Sequence, residues 1–197
     1  HYARATGKAE VFNGTGPAPG SATPERYAGG IPKTGPMSVS VPGTVAALGL
    51  MHARHGRLAW KRLFEAAIHY AREGFGVTHA FRHYTGANLG VVAADRLGGA
   101  TFLADGVAPT LGATVRQPQL AQTLAMLGDE GAEGFYRGDL AKCFARGCGE
   151  AGTLVTAADL AAFEAEIQTP SEIAYRGYAV RQAPPNSMGW VLLQELK

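Results

Sequence analysis

Few residues in this chain stand at spacings that could do chemistry. His79 and His83 fall four apart in HAFRH, the spacing at which two imidazoles on one helical face can share a metal ion. The glutamate that follows the first histidine in zinc proteases is replaced by Ala80, and no third ligand stands out. A surface or capping role is the better reading, and no metal site is assigned. His52 and His55 lie just ahead of Gly56, where the partial negative charge of a helix C-terminus favours cations; capping is preferred there too. Cys143 and Cys148 have C-x4-C spacing, which matches neither a zinc knuckle nor a redox pair. Residues five apart share a helical face poorly, so two free thiols are expected, Cys143 towards the core and Cys148 near a helix end.

Phosphate and acyl-transfer chemistry have no complete motif either. Neither a Walker A pattern nor a G-x-G-x-x-G after a strand is present, and Gly14-Thr15-Gly16 runs into Pro17, which lacks the backbone donor that a phosphate cradle would use. There is no G-x-S-x-G elbow, and Ser187 in PPNSMG has no local base. That stretch reads as a turn launching the last helix, with Asn186 or Ser187 as N-cap.

The elements that must position these residues can be read from period and punctuation. Residues 1 to 12 suggest two short strands around Thr6-Gly7-Lys8. Residues 13 to 36 are so rich in Gly and Pro that regular structure is improbable, and a loop of that length in a compact domain is usually functional or a linker. Pro42 suits the first turn of a helix carrying Val45, Leu48 and His52, with Gly56 as a left-handed stop. A second helix is expected from Leu58, with Trp60, Leu63, Phe64, Ala67, Ile68 and Ala71 on its apolar stripe and Gly74 at its end. Further helices are expected after Thr78 as N-cap, over 118–127 with Leu120, Leu124 and Leu127 in line, over 140–148, and after a capping box at Thr156 and Asp159. EIAYRGYAVRQ reads as strand, Arg176-Gly177 turn, strand. The organisation expected is α/β (α+β) and mainly helical: strands over 1–12, a pocket loop over 13–36, a helical region over 42–163, a β element over 164–183, then a turn and helix over 184–197.

Composition excludes some classes of function. The 197 residues are 46% hydrophobic, which suits a folded globular chain. Eighteen basic against 16 acidic residues leave a net charge of +2, too little for the basic field of a nonspecific nucleic-acid binder. No apolar run approaches the roughly 20 residues that span a bilayer, and no signal peptide opens the chain. The start at His1 within a strand-like stretch and the stop within the apolar run GWVLLQELK suggest a piece cut at both ends.

The order of segments carries more than any one of them. GIPKTGPMSVSVPGTVAAL, HARHGRLAWKRLFEAAIHYAREGFGV, QPQLAQTLAMLGDEGAEGFYRGDLA, AGTLVTAADLAAF, YRGYAV and PPNSMGWVLLQEL together resemble the large subunit of the γ-glutamyltranspeptidase family, from about Ala3 to Leu196. The resemblance implies an N-terminal-nucleophile (Ntn) hydrolase, in which two β-sheets lie between helical layers and the stretch from Pro42 to Arg72 belongs to the helical part. It implies a precursor that cleaves itself before a threonine, whose hydroxyl is the nucleophile and whose α-amine, with a pKa near 8, is the base. Backbone amides would hold the oxyanion, and no cofactor is needed.

By this resemblance the threonine lies beyond Lys197 on a small-subunit partner, so no catalytic residue is expected in this chain. The substrate would be a small-molecule amide. Candidate substrate-binding residues are Asn13, Gly14 and Thr15, because Thr15-Gly16-Pro17-Ala18-Pro19 matches the family's Arg-Glu-x-Ala-Pro run, whose arginine grips the substrate's α-carboxylate. Thr15 takes the arginine's place, and a hydroxyl replaces neither the charge nor the fork of a guanidinium. The resemblance therefore implies transfer or hydrolysis of γ-glutamyl or related amides. The alternatives are an amidohydrolase or acylase for a non-glutamyl amide of oxamate or cephalosporin type, and a catalytically dead scaffold. The compartment, periplasmic or secreted against cytoplasmic, stays open. Solvent exposure of Asn13 to Pro19 beside a cleft is the structural expectation.

Overall fold

A computed structural model describes residues 1–197. In chain order the elements are strands β1 (Tyr2–Ala3), β2 (Lys8–Ala9) and β3 (Val11–Asn13), helices α1 (Thr44–His55) and α2 (Glu65–Glu73), strand β4 (Phe75–Gly76), helices α3 (His79–Ala87), α4 (Leu89–Ala94) and α5 (Arg96–Phe102), strand β5 (Thr114–Val115), helices α6 (Pro118–Arg137), α7 (Asp139–Glu150) and α8 (Ala157–Ala162), strands β6 (Glu166–Gln168), β7 (Ser171–Tyr175) and β8 (Tyr178–Gln182), and helix α9 (Gly189–Glu195). The strands form two-stranded antiparallel pairs: β1 with β2, β3 with β6, β4 with β5, and β7 with β8. The fold is mixed and mainly helical, as expected. Its residues form two compact units, one of 1–57 with 130–197 and one of 58–129, so the stretch 42–163 contributes to both.

In the first unit, apolar residues from distant segments meet in one core. Val41, Tyr136, Leu140, Val155, Leu160 and Phe163 are buried there, and Tyr136 stacks on Phe163 with ring centroids 5.7 Å apart. Sequence-local chemistry sets several element ends. Thr156 accepts the Asp159 N–H while Asp159 accepts the Thr156 N–H, the reciprocal capping box that starts α8. Arg176 and Gly177 both have positive φ, 47° and 84°, the geometry that joins two strands at the twist a hairpin needs. On that hairpin Glu172 stands opposite Arg181 and the two form an ion pair.

The second unit is organised by aromatic contacts. The Trp60 indole N–H donates to the Leu127 carbonyl at 2.9 Å, and the rings of Phe75, Phe81 and Phe102 run in sequence at 5.9 and 6.2 Å. Val77, Val115, Ala121 and Leu127 are buried. Thr78 accepts the Phe81 N–H and caps α3, as expected.

Several local expectations are corrected. Pro42 precedes the N-cap, which is Gly43, so its missing N–H is spent outside the helix. Gly56 is extended (φ −65°, ψ 140°) rather than left-handed. A short 3-10 turn over Trp60–Phe64 leads into α2, and the inner stripe is Trp60, Phe64, Ile68 and Ala71, with Leu63 and Ala67 outside. Leu120 is exposed and Ala121 takes its inward place, while the helix runs on to Arg137 through non-helical angles at Gly131. Cys143 is exposed and Cys148 buried, the reverse of the facing assumed for Cys143. Residues 11–13 form a third strand that pairs with β6 across the sequence.

Candidate substrate cleft

The loop after β3 has almost no regular structure, yet it is fastened at three places. At its start, Asn13 Oδ1 accepts the Thr15 N–H at 2.9 Å, a turn in which the side chain mimics a backbone carbonyl. Asn13 Nδ2 donates to Gln168 Oε1 at 3.2 Å. In its middle, the loop backbone lies directly on the segment leading into α1: the Val41 N–H donates to the Pro17 carbonyl at 3.0 Å. A Cβ on Gly14 would come within 2.6 Å of the Gly43 carbonyl oxygen and 2.7 Å of Ala47 Cβ, and one on Gly16 would overlap the Val41 carbonyl. Only glycine permits that approach. At its far side, the Gly20 N–H donates to Asp159 Oδ1 at 2.8 Å and the Ser21 hydroxyl to the Leu154 carbonyl at 3.3 Å.

Asp159 therefore does two jobs, capping α8 with one oxygen and holding the loop with the other. Burial pushes its carboxyl up, but the Thr156 hydroxyl and the Gly20 and Thr156 N–H groups outweigh that and hold it below the ordinary 3.8.

The segment α1 rests on has its own clamp. Gly43 offers no side chain to cap α1, and the buried Tyr136 supplies what is missing: its hydroxyl accepts the Ala46 N–H at 3.1 Å and donates to the Pro42 carbonyl at 2.9 Å. Burial raises the Tyr136 phenol above its ordinary 10.0, with the Ala46 N–H opposing.

Two adjoining clefts open along this loop. One, of about 700 Å³, is bordered by Asn13, Thr15, Pro17, Asp159, Glu164 and Glu166 among others. The other, of about 470 Å³, is bordered by Gly14, Thr44, Leu48, Ala183 and Ser187. Asn13, Thr15, Gln168 and Asn186 line both, forming the ridge between them. The three candidate residues Asn13, Gly14 and Thr15 are thus together at the clefts. Thr15, Pro17 and Ala18 are exposed, Asn13, Gly14 and Gly16 half-buried, and Pro19 buried, so exposure does not extend along the whole loop as expected. Every charged residue lining the two clefts is acidic: Asp159, Glu164 and Glu166.

The other candidates fall elsewhere. His79 and His83 are exposed and border a separate cleft with Arg82; no group of three or more His, Cys, Asp or Glu is placed to hold a metal ion. Of the two histidines expected to cap α1, His52 and His55, the second does something else: His55 Nε2 lies 3.0 Å from Glu10 Oε2 and its ring stacks on His1 at 3.9 Å. Arg54 also binds Glu10, with Nε at 3.1 Å from Oε2, and these partners, Arg54 first, hold the Glu10 carboxyl below its usual value. Ser187 Oγ donates to the Ala183 carbonyl at 3.2 Å and accepts the Gly189 N–H at 3.3 Å, a turn role as expected, although the N-cap position itself is Met188. Gln168, Asn186 and the reach of Asp159 to Gly20 were missed. The Asn13–Gln168 bond joins residues 155 apart, and nothing local in the sequence signals it.

The arrangement of segments around this cleft matches one family along its entire length. The family model for gamma-glutamyltranspeptidase covers residues 1–197, and the chain belongs to that family. The glutathione hydrolase-like YwrD proenzyme of Bacillus subtilis is 33% identical over 190 residues, 95% of this chain and 36% of that protein. Among solved structures, the γ-glutamyltranspeptidase of Helicobacter pylori superposes with a TM-score of 0.91 at 25% identity, covering 98% of this chain and 58% of that one. The cephalosporin acylase of Bacillus halodurans gives 0.88 at 34% identity, covering 96% and 37%. The chain spans about a third of the length of the curated relatives it matches.

Proposed function

We propose that this chain is the large-subunit part of a self-processing amide hydrolase or acyltransferase, with a threonine nucleophile donated by a small-subunit partner. Asn13, Gly14 and Thr15 contribute to the acyl pocket. The observation that carries the substrate reading is the place of Thr15, the residue that the resemblance sets against the family's carboxylate-gripping arginine, on a cleft ridge whose charged neighbours in this chain are Asp159, Glu164 and Glu166. Among the residues that this chain contributes to the two clefts, a substrate carboxylate at this point would meet carboxylates and no cation. The site therefore favours an amide whose acyl group is neutral or differently charged here, in the manner of an amidohydrolase or acylase, over an α-carboxylate held as in γ-glutamyl transfer.

Relative rates on γ-glutamyl anilides, oxamate and acyl-cephalosporin amides test the reading, with intact mass reporting whether the precursor cleaves. A bidentate guanidinium–carboxylate pair is worth about 1.5–3 kcal/mol, so Thr15→Arg should raise kcat/KM on γ-glutamyl compounds by about 10- to 100-fold. Efficient γ-glutamyl transfer by the natural protein, with no response to Thr15→Arg, would place carboxylate recognition elsewhere. An uncleaved precursor lacking the threonine would favour the scaffold alternative.

A further inference from the structure

We propose that Glu166 and Gln168 are positioning residues that set the acyl specificity of the cleft by orienting Thr15 through Asn13. The inference rests on the reading of Thr15 as a substrate-facing residue. Four groups form one directional chain. Glu166 Oε2 accepts from Gln168 Nε2 at 2.9 Å, Gln168 Oε1 accepts from Asn13 Nδ2 at 3.2 Å, and Asn13 Oδ1 accepts the Thr15 N–H at 2.9 Å.

The order of donors in this chain is not arbitrary. An amide side chain is nearly symmetric in shape, and either end can face a neighbour; only its hydrogen-bond partners decide which does. A carboxylate can only accept, so Glu166 draws the amino end of Gln168. That turns the Gln168 oxygen to Asn13, which must answer with its own amino end. Its oxygen is left for Thr15, whose backbone N–H can only donate. A carboxylate at one end and an N–H at the other thus fix both amides between them. The pairing of β3 with β6, which sets Asn13 opposite Glu166 and Val11 opposite Gln168, brings the four groups together. Asn13 and Gln168 are half-buried and line both clefts with Thr15, so a flip of either amide would alter the ridge itself.

The same logic gives a test by reversal. Glu166→Gln keeps the size but removes the acceptor-only end, so the amides lose their fixed sense and Asn13 presents its amino group to the Thr15 N–H for part of the time. Asn13→Asp removes the donor that Gln168 needs and sets a second carboxylate beside the first. In the double variant Asn13→Asp/Glu166→Gln, the chain can run in the opposite sense: the new carboxylate at 13 accepts from both Gln168 Nε2 and the Thr15 N–H, while the new amide at 166 donates to Gln168 Oε1. Net charge is the same as in the natural protein.

The full-length protein would be measured for hydrogen exchange in the segment around Thr15 and for the ratio of kcat/KM between oxamate-type and γ-glutamyl amides. Glu166→Gln should speed Thr15 exchange and shift the ratio by about five- to tenfold, the loss of one hydrogen bond; Asn13→Asp keeps an acceptor for the Thr15 N–H and should shift the ratio without speeding that exchange. The double variant should return Thr15 exchange to within about twofold of the natural protein and should shift the ratio less than Asn13→Asp alone, a recovery that mere loss of stability at two sites would not produce. Additive shifts of the ratio in the double variant, or unchanged exchange in Glu166→Gln, would overturn the relay. Rescued exchange with a ratio that answers to Thr15→Arg but to none of these variants would overturn its role in specificity. A ratio unmoved by all of them, Thr15→Arg included, would instead put the fault in placing the substrate at Thr15.

Discussion

Tyr136→Phe removes one oxygen atom and leaves the rest of a well-defined contact in place. The ring keeps its stack on Phe163 and its burial, so the variant isolates the hydroxyl. That hydroxyl makes two hydrogen bonds, from the Ala46 N–H and to the Pro42 carbonyl. Each is worth about 0.5–1.5 kcal/mol net, and a donor left unpaired at a partly buried helix end costs about 1–3 kcal/mol. The expected loss is about 1.5–3 kcal/mol, with the melting temperature falling by a few degrees. Because Thr44, Ala47 and Leu48 line the cleft from the same helix, kcat/KM should fall as well, with full retention of the second unit's fold.

A pH series makes the assignment sharper. Burial raises the Tyr136 phenol above 10.0, so the folded chain holds that proton more tightly than the unfolded one. Its contribution is complete below the unfolded value and is lost as pH rises through the folded one. The natural protein should therefore lose stability above about pH 10 in a way that Tyr136→Phe does not, and the gap between them should narrow there. Urea unfolding at pH 8 and above pH 10 reads both terms. A variant within about 0.5 kcal/mol of the natural protein, or a gap that stays constant through alkaline pH, would refute the clamp.

Gly43→Ala tests the close approach of loop and helix. Its backbone angles (φ −114°, ψ −7°) suit alanine, so any cost comes from packing: the new methyl overlaps the Gly14 carbonyl and lies 2.5 Å from Phe163 Cζ. A loss of about 1–3 kcal/mol is expected by thermal melt, together with displacement of the loop seen as faster exchange around residues 14–17. Asp159→Ala should cost about 1–2 kcal/mol through the lost cap and should also free Gly20. Since the Asp159 carboxyl is held below its ordinary 3.8, its contribution is present above that value and vanishes as pH falls through the lower folded one; a pH-jump proteolysis assay should find the loop cut more readily only in acid.

What could be read in the sequence was local. The Thr78 cap, the Thr156–Asp159 box and the Arg176–Gly177 hairpin each depend on residues within a few positions of one another, and each is present. Placement of Asn13, Gly14 and Thr15 beside a cleft came from the Gly- and Pro-rich loop and from the match of residues 15–19 to a run of the family that the order of segments resembles. The remainder depended on partners far along the chain. Tyr136 caps a helix that starts 92 positions earlier at Thr44, β3 pairs with β6, and His55 turns to Glu10 instead of to its own helix end. Both thiols are free and Cys148 lies near the end of α7, as expected; the facing of Cys143 was misjudged because two residues five apart do not determine which face of a helix turns inward, whereas the buried Leu140, Ala141 and Cys148 do.

The way the loop is held bears on how its chemistry could change. Its fastenings use backbone atoms of Thr15, Pro17 and Gly20, the glycines that let those atoms approach, and the side chains of Asn13, Ser21 and Asp159. The exposed Thr15 side chain takes no part in them. A position held by its main chain, with its side chain on the ridge between two clefts, can exchange a guanidinium for a hydroxyl without altering the fastenings. Substrate preference at residue 15 is in this sense separable from stability, whereas preference altered at Asn13 or Asp159 would carry a cost in the loop itself. A Thr15→Arg protein should therefore melt within about 0.5 kcal/mol of the natural one, the usual range for a surface substitution. A larger loss would mean that the hydroxyl has a structural partner and that the separation does not hold.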